Sequence, residues 1–309
     1  MAARERFLVT GGAGFIGRHL CAALVAEGHT VRIVDDLSRG DRSAVPEGCE
    51  WIEGSVADPE LCREACQGID GVFHLAASID TPGSVEAVDY FMRANVNGTR
   101  NVLLAARDAH VQKFVYGASR TAYGAARPPH SPAQTPDCLT PYALSKLIGE
   151  QLCLLFTRLY GLPTVSLRYA DVYGAGQPAT GPYALALVEL VAQRRAGRPL
   201  SVRGDRSQEF DFVHVSDVVA ATIRAYRSSA SGLTLDVGSG RTCSIKSIAE
   251  LLTSDVLDAA AAQCEEDARI PSIAETEARI RWSPRVPLAE GLHELLALQP
   301  ACPTAGGDR

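Results

Sequence analysis

Eight residues near the N-terminus constrain the fold more than any other part of this chain. Residues 10–17 read Thr-Gly-Gly-Ala-Gly-Phe-Ile-Gly, which gives the glycine spacing G-x-x-G-x-x-G. A short apolar run, 6–10, precedes this segment, and a helical pattern, 15–27, follows it. Because a strand, a glycine turn and a helix together expose backbone N–H groups at the helix N-terminus, the pattern predicts a pyrophosphate site. The residues predicted to line it are Gly11, Gly14, Phe15, Ile16 and Gly17.

Acidic residues end the second apolar run, 30–34, at Asp35 and Asp36. A carboxylate at the end of the second strand accepts hydrogen bonds from the ribose hydroxyls of a bound dinucleotide. The same negative charge repels a ribose 2′-phosphate. We therefore predict that the cofactor is NAD rather than NADP.

Strand and helix patterns alternate over the first half of the chain, which predicts an α/β fold with a Rossmann-type, doubly wound parallel sheet. Further strands are predicted at 71–75, 113–116 and 165–169, and helices at 96–108, 142–160, 182–196 and 288–298. A short strand is expected at 200–203. The predicted divisions are an NAD-binding domain, 1–170, to which 211–238 returns; a smaller C-terminal substrate-binding lobe, 171–210 and 239–298; and a tail, 299–309.

Composition excludes several classes of protein. The 309 residues carry 30 Lys and Arg against 36 Asp and Glu, a formal charge of −6, which argues against nucleic-acid and anionic-membrane binders. No apolar run approaches the roughly 20 residues of a membrane helix, and the N-terminal run is too short for a signal peptide. The nine cysteines show no C-x-x-C spacing, so we expect no metal site and reduced thiols in a cytoplasmic protein.

A tyrosine and a lysine are spaced for proton transfer. Tyr142 and Lys146 stand at i and i+4 of a predicted helix, so both lie on one helical face. A free tyrosine has a pKa of about 10 and is a poor base at neutral pH. A nearby ammonium, together with the positive nicotinamide of an oxidised cofactor, would stabilise the phenolate.

Several longer segments carry a resemblance to a known family. They are TGGAGFIG at 10–17, VDDLSRG at 34–40, HLAA at 74–77, NVNGT at 95–99, VYGASRTAYG at 115–124, YALSK at 142–146, LRYADVYG at 167–174 and DFVHVSDV at 211–218. With these motifs the chain resembles the extended short-chain dehydrogenases/reductases, specifically the NAD-dependent epimerase/dehydratase family that acts on nucleotide sugars.

The resemblance implies roles for individual residues. Ser119 would hydrogen-bond the reacting sugar hydroxyl and complete a catalytic trio with Tyr142 and Lys146. Cofactor contacts beyond the glycine turn would come from Asp35, Asp36, Asp58, Leu75, Ala76, Ala77, Asn95, Tyr142, Lys146 and Tyr169. Substrate contacts would come from Ser119, Arg120, Asp171, Val202, Arg206 and Arg269.

The substrate side departs from the family pattern. Asp171 stands where the family usually has Asn, and Phe210 where it usually has the Arg that holds the diphosphate. Arg206 and Arg269 are candidates to supply the missing charge. Arg120 could recognise a carboxylate, as on a uronic acid, or a phosphate, or could be a loop arginine in a salt bridge.

The reaction is inferred from the two residues after Ser119. Family members that eliminate water place Asp-Glu there, and decarboxylating members place Glu at the second position, whereas this chain has Arg120 and Thr121. C4 epimerisation of a nucleotide-activated hexose, with UDP as the expected nucleotide, needs no further acid or base and is the leading hypothesis. The alternatives are an unusual dehydratase, a 4-ketoreductase, a uronate-specific epimerase or decarboxylase, a dehydrogenase of a non-sugar alcohol, and a non-enzymatic NAD sensor. The resemblance also implies a homodimer formed through the helices at 96–108 and 142–160, with Leu152, Leu154, Leu155 and Phe156 as apolar contacts.

Overall fold

The computed structural model describes residues 4–79, 83–127, 130–178, 185–201, 209–253, 270 and 272–298. The strands within these ranges are β1 (Arg6–Thr10), β2 (Thr30–Asp35), β3 (Glu50–Glu53), β4 (Gly71–His74), β5 (Lys113–Ser119), β6 (Thr164–Tyr169), β7 (Asp171–Tyr173), β8 (Glu209–Phe210), β9 (Phe212–His214), β10 (Leu233–Val237) and β11 (Cys243–Ser244). The helices are α1 (Phe15–Ala26), α2 (Pro59–Ala65), α3 (Gly83–Glu86), α4 (Val88–Phe91), α5 (Gly98–Asp108), α6 (Pro141–Tyr160), α7 (Ala186–Arg195), α8 (Val215–Arg227), α9 (Ile245–Thr253), α10 (Ala274–Ile280) and α11 (Leu288–Ala297).

Seven of the strands form one parallel sheet in the order β3-β2-β1-β4-β5-β6-β10. The chain runs outward from β1 to β3 and then returns to place β4 on the other side of β1. In such a sheet, ligands bind at the carboxyl ends of the strands where the order reverses. The predicted doubly wound, Rossmann-type sheet is therefore confirmed, with its binding crevice between β1 and β4.

Helices cover both faces of this sheet because successive side chains of a strand point to opposite faces. Phe7 and Val9 of β1 pack with α1 and α8, whereas Leu8 of the same strand packs with α2, α5 and α6. A third apolar cluster joins β7, β9, α7, α9 and α11. Two short pairs, β8 with β11 and β7 with β9, complete the described strands.

Most predicted elements appear with small changes of boundary. The helix predicted at 96–108 begins as α5 at Gly98 and continues a π-helical turn, Met92–Asn97. The strand predicted at 200–203 is wrong for residues 200 and 201, which have no strand structure, and its remaining residues lie outside the described part. Phe156, expected at a dimer surface, is buried in the core instead. Among the described residues, no helix has the length and apolar character needed to cross a membrane.

Candidate active site

The glycine turn between β1 and α1 is shaped to receive an anion. Gly14 caps α1 without a side-chain hydrogen bond, and the first turn of the helix carries no acidic residue. A Cβ atom at Gly17 would overlap the carbonyl oxygen of Gly11, so only glycine permits the close packing of this turn. The backbone N–H groups at the start of α1 therefore face a ligand without a side chain in between. This geometry fits the pyrophosphate of a dinucleotide.

Asp35 braces the turn from the end of β2. Its buried carboxylate accepts hydrogen bonds from the backbone N–H groups of Ala13, at 3.0 Å, and Leu37, at 2.9 Å. Burial raises the pKa of this carboxyl, and the two backbone bonds oppose that shift. Each carboxylate oxygen has a second lone pair, so Asp35 can still accept a ribose hydroxyl. Asp36 points outward and binds the backbone N–H and hydroxyl of Ser38.

The segment after β4 lies directly against the glycine turn. The backbone N–H of Leu75 donates to the carbonyl oxygen of Thr10 at 3.1 Å, and that of Ala76 donates to the Thr10 hydroxyl at 3.2 Å. A Cβ atom at Gly11 would lie only 2.7 Å from the Ala76 nitrogen. Leu75, Ala76 and the adjoining Ala77 thus lie beside the glycine turn at the point where the strand order reverses.

A buried histidine joins this turn to the far side of the crevice. His74 Nδ1 lies 2.6 Å from the Thr10 hydroxyl, and Nε2 lies 2.9 Å from the Thr99 hydroxyl. Because Thr99 donates its own proton to the Asn95 carbonyl at 2.5 Å, it must accept from Nε2–H of the histidine. Complete burial and the nearby Lys146 lower the pKa of His74 to about 3, so the ring is neutral.

Asn95 connects the loop after β4 to the helix that carries Tyr142. Its side chain accepts a hydrogen bond from the backbone N–H of Ser78 at 2.7 Å and donates one to the Ser145 hydroxyl at 2.9 Å. Ser145 in turn donates to the Tyr142 carbonyl at 2.7 Å. Asn95 is buried, so these bonds replace bonds to water and fix the loop against the helix. Ser145 was not singled out from the sequence, although it stands between Tyr142 and Lys146.

The structure brings Ser119, Tyr142 and Lys146 together. Ser119 ends β5 with its hydroxyl near the Tyr142 phenol. Burial raises the pKa of Tyr142, and the Ser119 hydroxyl opposes that shift. Thr140 caps α6 by accepting from the Ala143 N–H, so the helix begins just before Tyr142. Lys146 then follows one turn later on the same face.

Lys146 is enclosed by groups that control its charge. Its Nζ atom lies 4.5 Å from the centroid of the buried Tyr116 ring, a distance at which the ring attracts a cation. Burial lowers the pKa of Lys146 to about 8, and the negative charge of Glu150 opposes that shift. Sequence reasoning missed Tyr116 and Glu150. For Glu150 a signal existed, because it stands four residues beyond Lys146 on the same helix.

Glu150 belongs to a buried charged network behind the trio. Arg168 of β6 donates to both of its carboxylate oxygens, at 2.9 and 2.8 Å. The Arg168 guanidinium also lies 4.6 Å from the centroid of the Tyr123 ring, and the Tyr123 hydroxyl donates to Asp236 of β10 at 2.8 Å. Removing Glu150 or Arg168 would leave the other as an unpaired buried charge, so this pair holds α6 in register with β6.

Arg120 and Asp171, which both depart from the family pattern on the substrate side, form an ion pair with each other. Arg120 follows Ser119 directly, and its Nη2 atom lies 3.0 Å from Oδ2 of Asp171. Both side chains are about three-quarters buried or more, with 26% and 19% of their surface exposed. Burial raises the pKa of Asp171, the Arg120 charge opposes that shift, and the neighbouring Asp211 adds to it. Of the possibilities raised for Arg120, a salt bridge in the loop is what the structure contains.

The structure also places the remaining residues that were singled out from the sequence. Asp58 caps α2 by accepting from the N–H groups of Glu60 and Leu61. Tyr169 ends β6, with its hydroxyl 2.8 Å from that of Thr222. Phe210 stacks on Phe212. Three predicted substrate residues lie outside the described part of the chain: Val202, Arg206 and Arg269.

A Rossmann sheet with a glycine turn, a carboxylate at the end of β2 and a Ser–Tyr–Lys trio defines a dinucleotide-dependent enzyme of the short-chain dehydrogenase/reductase type. The model of the NAD dependent epimerase/dehydratase family matches residues 7–238. The chain belongs to this family, which confirms the predicted family, its enzymatic nature and NAD as the cofactor.

Named relatives agree with this assignment. The chain is 35% identical over 256 residues to a UDP-N-acetyl-alpha-D-glucosaminuronate decarboxylase of Bacillus cytotoxicus, covering 80% of this chain and 79% of the relative. It is 35% identical over 274 residues to a UDP-glucose 4-epimerase of Azospirillum brasilense, covering 81% and 77%. It superposes on the crystal structure of a UDP-glucose 4-epimerase with UDP-glucose from Thermotoga maritima with a TM-score of 0.84, at 28% identity and with 94% and 97% coverage.

Proposed function

We propose that this enzyme interconverts the C4 epimers of a UDP-linked hexose, with NAD as the cofactor. The observation that carries the proposal is the assembly of Ser119, Tyr142 and Lys146 beside the glycine turn, with no carboxylic acid next to them in the chain. The names of the relatives, which act on UDP-glucose and UDP-N-acetyl-glucosaminuronate, support a UDP-sugar as the substrate.

The trio accounts for the proton transfer. Burial raises the pKa of Tyr142, so the phenol needs a neighbouring positive charge to act as a base at neutral pH. Lys146 supplies that charge from one helical turn away. Ser119 hydrogen-bonds the O4 hydroxyl of the sugar while the Tyr142 oxygen accepts its proton, and Tyr142 returns the proton at the end of the cycle.

NAD fits the glycine turn described above, and Gly11, Gly14, Phe15, Ile16 and Gly17 would hold its pyrophosphate. The chemistry that bound NAD would supply here is reversible hydride transfer at C4 of the sugar, with return to the opposite face. Asp35 and Asp36 would bind the adenosine ribose, and Asp58 the adenine. Leu75, Ala76, Ala77, Asn95 and Tyr169 would line the nicotinamide side.

Epimerisation fits the neighbours of Ser119 better than the other reactions of the family. Elimination of water needs a general acid and a base at C6 and C5, and neither Arg120 nor Thr121 can provide a carboxylic acid. The Thr121 hydroxyl is instead engaged with Ser119, to which it donates at 2.9 Å. A decarboxylase with Glu at this second position would likewise lack its acid here.

We further propose that the enzyme is a cytoplasmic homodimer in which residues 1–170 and 211–238 bind NAD and the remaining lobe binds the sugar nucleotide. Exposed apolar side chains lie on α3, α4 and α6, and we refer to them as the helical patch: Val85, Val88, Tyr90, Leu144, Leu155, Leu159 and Tyr160. A patch of this kind marks an interface between subunits. The described cysteines are free thiols, in keeping with a reducing compartment.

Proton NMR of the NAD-loaded enzyme tests the proposed reaction. UDP-glucose, UDP-N-acetylglucosamine and UDP-glucuronate are each incubated with the enzyme in one sample. The corresponding C4 epimer is incubated in a second sample. We expect one pair to approach the same mixture of anomeric signals from both directions, without net formation of NADH. Signals of an alkene or of a keto-deoxy sugar would assign a dehydratase instead, and release of NADH would assign a dehydrogenase.

A further inference from the structure

The Arg120–Asp171 ion pair lies where it can meet the sugar. Ser119 ends β5 and pairs in register with Tyr169 at the end of β6, the neighbouring strand. Arg120 is the next residue after Ser119, and Asp171 stands two residues after Tyr169. The pair therefore spans the carboxyl ends of β5 and β6, beside the hydroxyl proposed to bind O4 of the substrate.

This place holds the Arg120 guanidinium and two neighbouring carboxyls, those of Asp171 and Asp211, and burial raises the pKa of both carboxyls. Arg120 contributes one positive charge and Asp171 one negative charge across 3.0 Å. The backbone N–H of Asp171 donates to the carbonyl oxygen of Asp211, so the backbone that carries the Asp171 side chain is held against the segment before β9. If Arg120 turned away to another anion, it would leave Asp171 as a partly buried carboxylate without a cation. Breaking such a pair is costly because the remaining charge has lost its solvation.

We infer that the Arg120–Asp171 ion pair selects neutral hexoses over uronates, and that Asp171 is the residue that keeps Arg120 from receiving a sugar carboxylate. The inference rests on the proposed function, since it concerns the sugar of that same site. A uronate brings a second negative charge next to Asp171. The Arg120 guanidinium, the only one adjacent to this place in the described part of the loop, is already paired with Asp171. A neutral hexose brings no charge and leaves the ion pair between Arg120 and Asp171 intact.

The inference predicts that removal of one negative charge reverses the preference. Asp171→Asn keeps the size of the side chain but frees Arg120, which can then form a bidentate pair with a uronate carboxylate. The expected effect is a fall of at least about tenfold in the ratio of the Kd for UDP-glucuronate to the Kd for UDP-glucose. The double variant R120M/D171N lacks the guanidinium and should return toward the ratio of the unmodified enzyme.

Isothermal titration calorimetry measures this ratio without turnover. UDP-glucose, UDP-glucuronate and UDP are titrated into the NAD-loaded protein with Tyr142→Phe, alone and combined with D171N or R120M/D171N. Asp108→Asn is the matched control, because Asp108 forms a surface pair with Arg107 at 2.7 Å, far from the site. This control should leave the ratio unchanged.

Each outcome supports or overturns the inference. An unchanged ratio in D171N, a double variant that behaves like D171N, or no binding of either sugar would overturn it. Equal loss of affinity for both sugars and for UDP on removing Arg120 would also overturn it, by assigning Arg120 to the diphosphate. Failure of the proposed function is seen separately, because the NMR experiment detects turnover and the titrations detect binding. A shifted ratio with no epimerisation would leave the inference standing and refute the reaction.

Discussion

Tyr142 is the residue whose chemistry the proposed reaction depends on most directly. Tyr142→Phe keeps the ring and its packing but removes the phenol oxygen that we propose accepts the O4 proton. Because a general base contributes about 10²–10⁴-fold to a rate, we expect kcat to fall by that factor while NAD remains bound. Turnover is followed by NMR, and bound NAD by release on denaturation. Tyr90→Phe, on the exposed side of α4, is the matched control and should retain full activity.

Lys146 sets the pH dependence of the reaction. Its pKa is lowered to about 8 by burial, and its protonated form is the one that stabilises the phenolate. We therefore expect kcat to fall as the pH rises through about 8. Over the range between this pKa and the ordinary value of 10.5, the unfolded state binds more protons at this lysine than the folded state does. The contribution of Lys146 to stability thus rises with pH while activity falls.

Because kcat is expected to fall with pH while the contribution of Lys146 to stability rises, the two measurements distinguish titration of Lys146 from unfolding. Activity and the free energy of unfolding are measured over the same neutral-to-alkaline range. Lys146→Arg keeps a positive charge at every pH reached, so its kcat should be lower but should lose the fall near pH 8. If kcat of this variant still falls near pH 8, the fall is caused by the titration of a different group.

Gly149 shows how helix α6 is set against the sheet. A Cβ atom here would overlap the phenol oxygen of Tyr116, the ring on which the Lys146 ammonium rests. We expect Gly149→Ala to lower the free energy of unfolding by about 1–3 kcal/mol, as overpacking in a core does, and to reduce kcat by displacing Lys146. Urea denaturation and initial rates measure the two effects. Because Tyr116→Phe removes the nearest overlapping atom, the double variant should recover part of both losses.

At the scale of elements, strong local patterns predicted the fold well. The limits of β1 and of α6 were predicted to within one residue, because an apolar run ends at glycine in one case and Thr140-Pro141 begins a helix in the other. Strand β3 was missed because Glu50 and Glu53 flank only two apolar residues at the edge of the sheet. The π-helical turn before α5 was also missed, since it is stabilised by tertiary bonds of Asn95 rather than by a local pattern.

The site was predicted in part for a related reason. The i, i+4 spacing pointed to Tyr142 and Lys146, and the resemblance to the family pointed to Ser119. The pairing of Arg120 with Asp171 depends instead on β5 and β6 being neighbours, which no short sequence pattern records. Arg120 and Asp171 were each visible in the sequence as a departure from the family pattern. Only the strand order shows that their charges compensate each other.

At the scale of the whole molecule, the helical patch makes the homodimer testable. Leu155→Glu combined with Leu159→Glu places two charges on the exposed side of α6, and an interface would have to bury them. We expect sedimentation velocity to change from a dimer to a monomer. Leu298→Glu, at an exposed leucine after α11, should leave the dimer intact. A protein that is monomeric before any substitution would contradict the proposed assembly.

The position of β10 has a consequence for how this chain is made. Synthesis runs from the N-terminus, so five strands and their helices emerge before β6, but the partner of β6 lies beyond residue 232. Until then β6 is an open edge with unpaired backbone groups, and Arg168 and Glu150 lack the cover that Asp236 and Tyr123 complete. Open edges promote pairing between chains. A nascent chain that stops near residue 170 therefore leaves the backbone groups on one side of β6 open to pairing with other chains until β10 has been synthesised.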